Sequence, residues 1–155
     1  MMRWMAMCKC AYVSGNVVNY DVIRAKIKEL SEWFKIIADV VIDRWNATHL
    51  STEIMGDGFA VAPRGQGFAS QSTPTKELMN LLLAGKFRRG GNAALRWMAS
   101  NVAVEEDAAG NLKPSRRKSS ERIDGVVALI NAIGRAAVDS RQRESVYQTR
   151  GLLIV

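Results

Sequence analysis

A chain of 155 residues, 48% of them hydrophobic, can bury one ordinary core but not two, which predicts a single domain and excludes a disordered chain. The 22 Lys and Arg outnumber the 15 Asp and Glu, and the resulting formal charge of +7 favours an anionic partner such as nucleic acid without specifying one. Cys8 and Cys10 are too few and too close for a disulfide framework or a zinc site, and read as free thiols in a reducing cytosol.

The opening MMRWMAMCKCAYV is apolar, but Arg3 and Lys9 interrupt it and it is too short to cross a bilayer, so neither a signal peptide nor a membrane segment is predicted. From Val22 to Ile37, the spacing of Ile23, Ile27, Leu30, Phe34 and Ile37 predicts an amphipathic helix, with Asp21 placed to cap it. The β-branched run IIADVVID predicts a buried strand ending at Asp43. A helix through ATHLSTEIM follows, stopped by Gly56 and Gly58, and FAVAP is a second short strand. This βαβ order predicts parallel pairing.

Next, RGQGFASQS reads as a loop before a helix capped by Thr73 and opened by Pro74, with Leu78, Leu81 and Leu82 on its apolar side and Gly85 at its end. A further helix starts from a cap at Asn92 in GGNAALRWMASN. VAVEEDAAGNLKPS predicts two short strands about a turn at AAGN. The basic run KPSRRKSSER leads into a closing helix whose stripe is Ile123, Val126, Val127, Ile130 and Ile133.

Two carboxylates stand out. Asp43 lies at a strand end, where ligand sites of open α/β sheets collect, and Asp124 opens the closing helix beside its buried stripe. Two Asp residues converging in a basic surround suit Mg²⁺ or Mn²⁺ for phosphodiester cleavage, because hard cations take oxygen ligands. Spacing alone favours the plainer alternative, in which Asp43 caps the next helix and Asp124 complements a helix dipole.

The stretches GNVVNYDVIRAKI, VVIDRWNAT, GQGFASQSTPTKELMNLLLAGK, GGNAALRWMASNV, GNLKPSRRKSSERIDGVVALINAIGRA and YQTRGLLIV, in this order, resemble the C-terminal nuclease domain of the large terminase subunit of tailed bacteriophages. The likeness runs from about Gly15 to the C-terminus and leaves 1–14 poorly matched. It implies an α/β, ribonuclease H-like fold, a central sheet flanked by helices, here lacking the first strands. It also implies a divalent-metal-dependent endonuclease that cleaves viral DNA concatemers at a two-metal site of acidic residues. Asp43 corresponds to the second of three expected aspartates and Asp124 to the third, both as catalytic metal ligands for Mg²⁺ or Mn²⁺. The implied partners are double-stranded DNA and, in the full system, a small terminase subunit and a portal protein, all in the cytoplasm of a bacterial host.

The pattern is not matched everywhere. No GxxxxGK[ST] loop occurs, so the phosphate cradle of a packaging ATPase is missing, and the first-strand Asp has no counterpart. RRGGNAALRW differs from similar sequences, which tend to carry His before the glycines and Pro after the Asn. The alternative reading is therefore a prophage remnant with an incomplete metal site that serves only as a DNA-binding or interaction module. A Holliday-junction resolvase on the same fold would share the carboxylates but gains no support from GQGF or LRWMASN.

Lys113, Arg116, Arg117 and Lys118, with Arg122 nearby, are candidate phosphate contacts, set against the plainer reading of a solvated loop. Gln66 between two glycines is a candidate for the cleft wall. His49, the sole histidine, reads as a surface residue, Asp39 as a solvated strand-start charge, and Trp45 and Trp97 as core aromatics.

Overall fold

The computed structural model describes residues 19–34, 39–45, 48–88 and 90–143, with side chains described as far as 138. Ile37, the start of the first strand run, Cys8, Cys10, the apolar opening and the closing YQTRGLLIV lie outside the described residues.

Helix α1 spans Tyr20–Phe34 and is followed by strand β1, Val40–Asp43. Helix α2, Thr48–Gly56, leads to strand β2, Val61–Arg64, which pairs with β1 in parallel, Val40 beside Val61 and Asp43 beside Arg64. The βαβ order thus gives the pairing it predicts. Helix α3, Phe68–Leu83, and helix α4, Ala93–Asn101, come next. Strands β3, Val104–Glu106, and β4, Leu112–Pro114, form an antiparallel hairpin, and helix α5, Asp124–Arg143, closes the order. Among the described residues the strands make two separate two-stranded sheets.

The core lies where α3, α4 and α5 meet. Leu78, Leu95, Val126 and Ile130 are buried together, with Phe87, Met98, Val102, Leu129 and Ile133 packed around them. The predicted stripe faces inward, with Ile123 and Val127 buried as well, Ile123 just ahead of α5 and the others within it. Gly125, in the first turn of α5, is explained by closeness: a Cβ there would strike the sulfur of Met98 on α4, which its own N–H faces at 3.2 Å. The hairpin docks on α3, where the Ser72 hydroxyl accepts from Leu112 N at 3.2 Å and Lys76 donates to the Gly110 carbonyl at 2.9 Å.

Several sequence expectations change. Asp21 sits within the first turn of α1, and the cap is Asn19, whose side chain accepts from Asp21 N at 2.9 Å. Helix α3 begins at Phe68, so most of GFASQS is helix; Pro74 lies inside it rather than at its start, and Thr73 does not cap it. A mid-helix proline removes one N–H and leaves the carbonyl four residues earlier without its donor. That carbonyl, on Ser70, is taken by Arg64 Nη2 at 2.7 Å, so a side chain from β2 repairs the gap. Leu78 is buried, but Leu82 is exposed because the face it occupies meets no other described element. Gly85 ends α3 as predicted, at φ +64° with Lys86 N reaching back to Leu81 O at 2.9 Å.

No residue of α1 is buried among the described residues, and Ile23 and Phe34 are exposed despite their spacing. Charge rather than apolar packing ties α1 to α2. Arg24 forks onto Asp57 through Nε at 2.7 Å and Nη2 at 2.9 Å, and Lys28 Nζ adds a contact of 2.9 Å. The Arg24 and Lys28 hydrogen bonds hold the Asp57 carboxyl well below the usual carboxylate range. A carboxyl depressed in the folded state contributes stability above its unfolded pKa of about 4, and that contribution is lost as pH falls through the folded value. Acid melting curves should therefore show α1 loosening below about pH 4, and Asp57→Asn should remove that component while leaving the neutral-pH core transition in place.

Candidate functional site

The site is built where α5 crosses the parallel strand pair. Residues two apart on a strand share a face, so Asp39, Val41 and Asp43 point one way, together with Ala62 and Arg64 in register beside them. That face is turned toward α5, because Asp39 at its start is bonded to Arg135 Nε at 2.5 Å. Asp39 is thus paired and largely buried, not a solvated charge; its partner lies too far along the chain to be read from local sequence.

Helix α5 meets the start of β1 and α3 through polar residues of one stripe. Residues 124, 131 and 135 recur at the helical repeat and so share one face. Arg135 holds Asp39, while the Asn131 Oδ1 accepts from Gln71 Nε2 at 2.7 Å. The same Gln71 nitrogen donates to the carbonyl of Gly65, just past β2, at 3.2 Å. The strands therefore advance from the level of Arg135 at their start toward Asn131 at their end. Asp43 lies at the leading end of this face, and Asp124 lies two turns beyond Asn131 on the facing stripe, about 10 Å further along the axis at 1.5 Å per residue. Asp43 thus ends the β1 face that Asp39 begins, and Asp124 begins the α5 stripe that carries Asn131 and Arg135.

Each has its own close partner. Asp43 Oδ1 accepts from the Trp45 backbone N–H at 3.1 Å, which closes the turn after β1. Asp124 is half-exposed and forms an ion pair with Arg116 Nη2 at 3.1 Å. Among the described residues no group of three or more His, Cys, Asp or Glu could hold a metal ion. The two aspartates nevertheless have the donor chemistry, anionic oxygen, that hard divalent cations take.

The candidate phosphate contacts divide. Lys113 is bound to Glu105 at 2.9 Å and lies over the Phe68 ring, and Lys118 approaches the same carboxylate at 3.9 Å. Hydrogen bonds from Lys113, then Ser115, hold the Glu105 carboxyl below its ordinary range. Arg116 is committed to Asp124, whereas Arg117 and Arg122 are exposed with no ion-pair partner among the described residues. Gln66 is half-buried in the turn between β2 and α3. His49 is a surface side chain 3.6 Å from Glu53. Trp45 and Trp97 are exposed rather than core, since each projects from an end or face that no other described element covers. Arg44 lies over the Trp45 ring at 5.4 Å, and its guanidinium also borders Gly65, which adds a cation beside the Asp43 turn.

Sequence reasoning missed Arg64, Gln71 and Asn131. The available signals were a proline inside a helix, which implies an outside donor, and an Asn and a Gly interrupting the apolar face of α5.

The family described as "Terminase large subunit, endonuclease domain" matches residues 4–140. The chain is 29% identical to Protein YmfN of Escherichia coli (strain K12) over 90% of its length, and 32% identical to the terminase large subunit of Enterobacteria phage HK97 over 79%. It spans only 31% and 24% of those two proteins. Among solved structures, the HK97 bacteriophage large terminase superposes with a TM-score of 0.71 at 32% identity, covering 78% of this chain and 26% of that one. The large terminase nuclease from thermophilic phage G20c superposes with a TM-score of 0.59 at 21% identity, covering 76% and 63%. The fold is that of these α/β, ribonuclease H-like domains. No helix among the described residues is long and apolar enough to cross a membrane.

Proposed function

We propose that this chain, which belongs to the family of terminase large-subunit endonuclease domains, cleaves double-stranded DNA with the help of divalent cations held in part by Asp43 and Asp124. The reading is supported by the Arg135–Asp39 bond, which sets α5, the helix that Asp124 opens, against β1, the strand that Asp43 ends, and by the Asn131–Gln71 bond that ties the same helix to α3. Mg²⁺ or Mn²⁺ bound there would supply charge neutralisation at the phosphate and activation of a water.

The residues of the chain divide the remaining work. Asp43, fixed by its bond to the Trp45 N–H, offers an oxygen whose direction is set by the turn. Asp124 is held by Arg116, an exposed pair weak enough to open when a cation competes for the carboxylate. Arg44, Arg117 and Arg122 flank this end as cations suited to phosphate, positioning a duplex without reading its sequence. Packaging partners, a small terminase subunit and a portal protein, belong to the same proposal, as does a bacterial cytoplasmic setting.

Supercoiled plasmid incubated with the purified chain should be nicked and linearised in Mn²⁺ or Mg²⁺ and left intact in EDTA. A second reading, DNA binding without cleavage, is favoured by Arg117 and Arg122, exposed and without an ion-pair partner among the described residues. Under either reading duplex binding should weaken with salt, and replacing both arginines by Ala should lower the slope of log K against log salt by about two. Binding with that salt dependence, but no nicking in any divalent cation, would select the second reading over the first.

A further inference from the structure

The Arg64 side chain joins three elements at once. It leaves the end of β2 in register beside Asp43, and its Nη2 donates at 2.7 Å to the Ser70 carbonyl that Pro74 leaves open in α3. Its guanidinium fills the space beside Gly134 of α5, where a Cβ would overlap Nη2, Cζ and Nη1. Burial alone pushes its pKa down, no carboxylate among the described residues pairs with it, and its Nε is buried without a partner. A cation held this way costs stability, and an apolar side chain of similar length would fill the same gap more cheaply. A glycine in mid-helix is a further local cost, accepted here only because the guanidinium needs the room.

We propose that Arg64 is a positioning residue, a spacer wedged between the end of β1–β2 and α5 that sets the separation of Asp43 from Asp124. It touches helix backbone and a carbonyl, so it acts through the two aspartates and not on substrate. Its importance for cleavage rests on the nuclease reading above, whereas its control of the α5 position does not.

The test compares metal-free crystal structures of the full chain with those of Gly134→Ala and Arg64→Met, alongside calorimetric Mn²⁺ titration and plasmid cleavage. Gly134→Ala should expel the guanidinium and move α5 relative to β1. A displacement of about 1 Å should raise the Mn²⁺ concentration for half-maximal cleavage about tenfold or more. Arg64→Met should weaken Mn²⁺ binding similarly while its melting temperature stays level or rises, a combination that a merely structural residue would not give. If Gly134→Ala does not fold, Arg64→Met decides alone. Superposition of α5 on the wild type in the variants, or unaltered Mn²⁺ binding by Arg64→Met, overturns the assignment. Should α5 move as described while the wild-type chain binds no Mn²⁺, the spacer stands and the nuclease reading falls.

Discussion

Asp124→Asn is expected to lower Mn²⁺-dependent plasmid cleavage by at least about a hundredfold while leaving the fold intact, in line with losses seen when one preorganised charge is removed from a catalytic site. Asparagine keeps the size and shape of the side chain and removes the negative oxygen on which binding of a hard cation depends. The pairing with Arg116 is lost as well, but both side chains of that pair are more than half exposed, at 62% and 55%. Exposed pairs contribute about 0–1 kcal/mol, so the melting temperature should hardly move. Asp43→Asn should lose activity to a similar degree and also stay folded, since an amide Oδ1 can still accept from the Trp45 N–H. The two variants together should be no worse than either alone, because groups that act as one unit are not additive. Wild-type cleavage by Asp124→Asn would remove this residue from the site.

How much of this was legible beforehand depends on the range of the interaction. The α5 stripe, the Asn92 cap, the Gly85 stop and the parallel pairing follow from local rules, and the structure has them as the residues predict. The start of α3 was not legible, because GQG, Ser and Pro all signal a turn, and Arg64, which donates to the Ser70 carbonyl that Pro74 leaves open, arrives from another element. Asp43 and Asp124 were marked as candidates by position, at a strand end and a helix start, and the structure has them at those positions. Their proposed convergence rests on Asp39 meeting Arg135 and Gln71 meeting Asn131, contacts made only once the chain has folded. Periodicity likewise marks the apolar sides of α1 and of α3 around Leu82 but not whether anything covers them.

The last consequence concerns the helix that carries Asp124. Ile130→Ala is expected to destabilise the chain by about 3 kcal/mol, within the roughly 2–5 kcal/mol typical of such truncations at buried sites. Ile130 is only 2% exposed and sits among Leu78, Leu95 and Val126, with α3 and α4 both pressed on it. Those helices are held by their own hydrogen bonds and cannot collapse far into the space left, so a cavity term adds to the lost transfer energy. For a domain of this size that loss corresponds to a fall in melting temperature of about 10 °C. Leu82→Ala removes a similar amount of hydrocarbon from α3, yet Leu82 is 53% exposed and should cost no more than about 0.5 kcal/mol. Thermal and urea denaturation of the two variants side by side gives the comparison, and equal losses would mean that the α3–α4–α5 junction is not the core. Below its own melting temperature Ile130→Ala should still cleave DNA, because Asp124 is exposed at the start of α5 and the bonds that hold this helix to β1 and α3 are made by Arg135 and Asn131, which the truncation leaves in place.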